Sequence, residues 1–89
     1  MMTQGRLPIV ISSAQQVTTD SLAVQALLFS PSAGSSSFAL YDSQNNPIAS
    51  CNFTDQEPFY IPFPKPIPCI GLSLKVISSG TLYVYLADI

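Results

Sequence analysis

Histidine is absent from the 89 residues, tryptophan is absent too, and charged side chains make up only 9% of the chain. The lack of histidine removes most zinc sites, most general bases near neutral pH and every Ser-His or Cys-His nucleophile pair. The sequence therefore predicts no enzyme activity, no metal site and no cofactor. The acids Asp20, Asp42, Asp55, Glu57 and Asp88 are scattered, and only Asp55 and Glu57 lie close, beside Pro58 in a loop-like stretch. Solvated loop carboxylates are the plain reading there, because a glycosidase pair needs two carboxyls held roughly 5–10 Å apart across a cleft. Four glycines with no Gly-x-Gly or Gly-Lys-Ser/Thr cluster exclude a phosphate-cradling loop.

Positive charge is scarce as well. Three Lys/Arg against five Asp/Glu give a net charge of -2, so nothing is available to neutralise a phosphate backbone, and no nucleic-acid partner is expected. No apolar run approaches the roughly 20 residues of a membrane-spanning helix, and no membrane partner is expected either. The opening MMTQGRLPIVISS lacks a basic-then-apolar secretory segment, which predicts synthesis in a cytoplasm. Cys51 and Cys69, in apolar strand-like surroundings, are expected as buried thiols, with a disulfide as the alternative.

What is present is apolar and neutral-polar. Hydrophobic residues reach 47%, enough for one core in a chain too short for two domains. The polar surface comes from 13 Ser, 6 Gln, 5 Thr and 3 Asn. Soluble small domains usually carry both signs of charge in quantity, whereas protein interfaces are depleted in Lys, Glu and Asp. Much of this surface is therefore expected to face other protein.

The pattern along the chain predicts an all-β fold, an antiparallel β-sandwich or small jelly-roll-like domain. Residues 1–12 read as an N-terminal arm and first edge strand, with Pro8 placing the strand at an edge or standing at its start; residues 13–89 read as a single β-sandwich domain. Residues 21–30 fit a strand or a short helix, and the strand is preferred among strand neighbours. Residues 36–42 and 47–53 predict a hairpin across Ser43-Gln44-Asn45-Asn46. The segment EPFYIPFPKPIP, with five prolines, is expected to be a stiff crossover or an edge, not a central strand. Residues 69–89 alternate about Ser78-Ser79-Gly80 and predict a second hairpin with Gly80 in the left-handed position. That register pairs Leu72 with Leu86, Leu74 with Val84 and Val76 with Leu82, leaving Ser73, Lys75, Tyr83 and Tyr85 on the outer face.

The order of these segments carries a family resemblance. Leu40-Tyr41-Asp42, the Gly71-Leu72 that opens the last segment, and Ser79-Gly80-Thr81 before Tyr83-Val84-Tyr85 resemble small β-sandwich virion proteins of tailed bacteriophages, including capsid decoration or cement proteins. The likeness covers about residues 20–87; the denser proline run and the two cysteines depart from it, and it transfers no residue roles. It implies a non-enzymatic structural protein, made in the host cytoplasm and bound to the outer capsid surface of the virion. Its partners would be the major capsid protein and copies of itself, trimers being one arrangement.

Exposed-looking apolar groups nominate the contact residues: Arg6, Leu7 and Pro8 in the arm, Tyr60 and Phe63 in the proline-rich segment, and Tyr83 and Tyr85 on the last strand. The alternatives are a phage tail, head-tail junction or fibre component, or a carbohydrate- or receptor-binding β module that uses Tyr83 and Tyr85 as a stacking platform.

Overall fold

In the computed structural model, which describes residues 8–87, six strands follow one another: β1 (Ile9–Ile11), β2 (Gln15–Pro31), β3 (Ser36–Tyr41), β4 (Pro47–Phe53), β5 (Phe59–Ser78) and β6 (Gly80–Leu86). All pairings are antiparallel, in one sheet of order β1-β6-β2-β5-β3-β4. The segment 21–30 lies within β2 and is strand. Its helix-like look has a cause. Val24 pairs Leu86 while Ala26 pairs Tyr85, so Gln25 is an extra residue in the ladder. An odd insertion flips the faces, sending Leu27 and Phe29 inward where strict alternation would send Ala26 and Leu28.

The two long strands decide the shape. Phe29 on β2 lies opposite Phe59 of β5, and Phe38 on β3 lies opposite Ile77 of the same β5. A straight strand from Phe59 to Ile77 would span roughly 60 Å, yet the longest dimension of the molecule is 40 Å. The rings of Phe29 and Phe38 sit with centroids 5.1 Å apart. The sheet is therefore doubled over on itself. One half holds β1, β6, the end of β2 and the start of β5; the other holds the start of β2, the end of β5, β3 and β4.

Gly71 sits where β5 passes between the halves. Its φ is +82°, and a Cβ there would stand 2.6 Å from Ser43 Oγ and 2.7 Å from the Thr18 carbonyl oxygen. Opposite it β2 carries its own register shift, between Thr18 and Ser21. Ser43 donates its backbone N–H and its hydroxyl to the Ile70 carbonyl, which fixes the β3–β4 turn against this crossing point. Between the halves lie Ile11, Leu22, Val24, Leu27, Phe29, Phe38, Leu40, Leu72, Leu74, Leu82 and Val84. Phe53 stacks on Phe29 at 4.9 Å and meets Phe59 edge-on at 5.3 Å, so the aromatic rings close one end. Gly80 allows the close approach of Phe29, since a Cβ there would be 2.5 Å from the ring.

The expected 36–53 hairpin is present, and Asp42 organises its turn. The Asp42 carboxylate accepts the backbone N–H of Gln44 (2.9 Å) and of Asn46 (2.8 Å) and the Asn46 side-chain amide (3.1 Å). Asn45 takes a left-handed φ of 69°, a conformation that asparagine tolerates.

The expected second hairpin is not. β5 and β6 do not pair: β5 runs between β2 and β3, and β6 runs between β1 and β2. The link is an arch from one half of the doubled sheet to the other, held by Ser32 N–H donating to the Ser79 carbonyl at 2.7 Å. Ser79, not Gly80, takes the positive φ, at 56°. Leu72, Leu74, Leu82 and Val84 are all core residues, but Val76 is 48% exposed. Lys75 is an extra residue between the Leu40–Leu74 and Ala39–Val76 pairs, and it reverses the faces beyond it.

The proline-rich stretch is strand rather than crossover, and it is an edge: residues 59–68 pair with β2 alone. Residues 63–66 bulge between the Val24–Ile67 and Ala26–Pro62 pairs. Of the expected arm, Ile9–Ile11 pairs with β6 of its own chain at the sheet edge and buries Ile11. Arg6 and Leu7 lie outside the described residues.

Gly71→Ala forces a Cβ against backbone at a left-handed position, and should lower stability by at least about 2 kcal/mol in urea denaturation. An unchanged midpoint would contradict the role given to this residue. Asp42 titrates below its ordinary value of 3.8, chiefly because the Asn46 backbone N–H donates to the carboxylate, with burial opposing. A depressed folded value adds stability above the unfolded value and loses it as pH falls through the folded one. Melting temperature should therefore drop below about pH 4, and Asp42→Asn should melt lower at pH 7 with a flatter acid limb.

Candidate interaction face

The register across the first half of the sheet assembles a row that no local pattern contains. Val10 on β1 lies opposite Tyr83 on β6, Tyr83 opposite Leu28 on β2, and Leu28 opposite Tyr60 on β5. Directly opposed residues share a face, and here it is the outer one, because Ile11, Leu27, Leu82 and Val84 beside them point into the core. At the usual strand spacing the row spans roughly 14 Å. Val10 is 55% exposed and Tyr60 57%, while Tyr83 and Leu28 are half-buried. The next row sets Tyr85, the small and buried Ala26, and Pro62 side by side. None of these residues is charged.

Of the nominated contact residues, Tyr60, Tyr83 and Tyr85 are therefore brought onto one surface from β5 and β6. Pro8 immediately precedes β1, whose Ile9 pairs with Val84, so it enters beside Tyr85. Phe63 is separated from them: it is half-buried against the core, within the β5 bulge. Tyr60 and Phe63 are both strand residues. Val10 and Leu28 belong to the face and escaped sequence reasoning. The face of Leu28 depends on the Gln25 insertion, and that of Val10 on which strand β1 pairs with.

The outer side of the other half has a different character. Lys75 Nζ stands 5.4 Å from the centre of the Tyr41 ring, a cation–π distance. Ser37 and Ser78 hydroxyls meet at 3.3 Å. A shallow hollow of about 350 Å³ lies over Ser37, Ala39, Ser50, Asn52 and Val76. A second, apolar one of about 310 Å³ is lined by Ser21, Leu22, Ala23, Pro68, Cys69 and Ile70. Among the described residues no group of three or more Cys, Asp or Glu is placed to hold a metal ion. Among the same residues no helix is long and apolar enough to cross a membrane.

Cys51 and Cys69 are free and half-buried rather than fully buried. Burial raises both thiols above their ordinary value of 9.0, and the Asp42 charge pushes Cys69 further. Such thiols stay protonated at neutral pH and make poor nucleophiles. Iodoacetamide at pH 8 should alkylate both more slowly than it alkylates an unfolded control, followed by intact mass; equal rates would contradict this burial.

Comparison with protein-family models, with curated proteins and with solved structures finds no match to this chain.

Proposed function

We propose that this chain is a non-enzymatic structural protein of a tailed-phage virion, a capsid decoration protein that binds the outer shell and braces neighbouring major capsid subunits. In this reading the doubled sheet is a small β-sandwich of jelly-roll type, and the face through Val10, Tyr83, Leu28 and Tyr60 lies against the shell. The observation that carries the reading is this uncharged aromatic face on an otherwise charge-poor molecule. A contiguous apolar row with tyrosine hydroxyls at its surface suits a protein contact, since tyrosine covers much area with few rotatable bonds and keeps a polar tip. An absence of charge avoids burying unpaired ions at each of many repeated contacts. The likeness of chain order to decoration proteins supplies the identity of the partner. Weak single contacts suffice, because a subunit touching two or three neighbours gains by effective concentration.

A carbohydrate-binding module is the second reading, and the high exposure of Tyr60, on the same face as Tyr83 and across Leu28 from it, favours it, since flat aromatic surfaces stack on sugar rings. Cosedimentation with purified phage shells separates the two. Tyr60→Ala/Tyr83→Ala should weaken shell binding at least about tenfold while the circular dichroism of the fold persists. Retained shell binding, or no binding by the unaltered chain, would remove the proposal. Loss of glycan retention in the same variant would transfer the face to the sugar reading.

A further inference from the structure

Several strand segments have one side unpaired among the described residues, and three of them, β1 and the starts of β5 and β2, discourage a further strand. β1 offers only three residues, with Pro8 in front. The start of β5 holds Pro62, Pro64, Pro66 and Pro68, which have no N–H to donate. The start of β2 shifts register twice against β5, between Gln16 and Ser21, and carries exposed Asp20, whose N–H turns back onto Thr18 Oγ1 at 3.1 Å. Shortness, proline, bulges and charge are the means by which natural sheets blunt their edges.

β4 has none of these over residues 49–53. Its register with β3 is regular from Ser36–Phe53 to Leu40–Ala49, it contains no charged residue, and Pro47 stands only at its start. Ala49, Cys51 and Phe53 face inward but are only partly covered, and they pack on the core as its outermost members. Ser50 and Asn52 face outward and are exposed. The layer ends there with its inner side unfinished.

We propose that the free edge of β4 pairs antiparallel with β4 of a second copy, about a two-fold axis at Cys51, so that the sheet continues across a dimer. A residue-centred axis sets each position opposite one of the same parity, so inner side chains meet inner ones. Ala49 then lies opposite Phe53 of the second copy, the small residue making room for the ring, and Ser50 lies opposite Asn52. The outer pairs are neutral hydrogen-bonding groups, and no like charges meet. An axis at Ser50 would instead draw Pro47 into the ladder and lose a donor. A five-residue ladder buries far less than the usual stable interface, so the dimer is weak and strengthens with concentration. The contact is separate from the tyrosine face and does not depend on the capsid reading.

Size-exclusion chromatography with light scattering tests this on the full chain. Mass should rise with concentration from 9.5 kDa toward twice that value. Ser50→Lys/Asn52→Lys and Ser50→Asp/Asn52→Asp should each stay monomeric with unchanged circular dichroism, and an equimolar mixture of the two should regain the dimer mass. Oxidation of the dimer with diamide at pH 9, where part of the raised thiols is ionised, should give a linked species that is lost in Cys51→Ser and kept in Cys69→Ser. A chain monomeric at every concentration, a dimer surviving the lysine variant, or a mixture that fails to pair would overturn the proposal. The oxidation arm stands even if a double variant fails to fold.

Discussion

Everything in this fold depends on doubling one sheet so that Phe29 can reach Phe38 and Phe53. A six-stranded sheet left open has two faces and nothing else in the chain to cover either, since no helix is present among the described residues. Folding the sheet over makes each half the cover of the other. The requirement falls on β2 and β5, which among the described strands are long enough to belong to both halves, and most sharply on Gly71. There the backbone needs a left-handed φ and the Thr18 carbonyl and Ser43 hydroxyl leave no room for a side chain. The Asp42 turn joins the same constraint, because Ser43 anchors to the Ile70 carbonyl from within it.

Single-residue insertions then assign the faces. Gln25 turns Leu27 and Phe29 into the core and leaves Leu28 outside; Lys75 keeps Leu72 and Leu74 inside and turns Val76 out. The tyrosine row is a product of the first insertion. Without it Leu28 would leave the outer face and the row would be broken between Tyr83 and Tyr60. Core packing and surface chemistry are thus set by the same local irregularity.

The surface that results is unusual in what it omits. Its aromatic face carries no ion, its β4 edge carries none, and the Asp42 carboxylate is occupied by its own turn. Such an exterior offers little to repel a neighbouring protein and little to hold a charged ligand, and the proposed assembly role rests on that property.

Legible in the sequence were the all-β class, the 36–53 hairpin, an edge or crossover for the proline-rich segment, and four members of the core, Leu72, Leu74, Leu82 and Val84. These follow from alternation and turn chemistry, which act over a few residues. Tertiary structure alone decided which strands pair, so β6 lies beside β1 and β2 where alternation pointed to β5. It also decided that Ser79 rather than Gly80 takes the left-handed turn, and that Val10 and Leu28 join Tyr60 and Tyr83 while Phe63 turns to the core. Alternation records whether a side chain points inward but not what lies opposite it; that depends on where bulges and the doubling of the sheet place residues far apart in the chain.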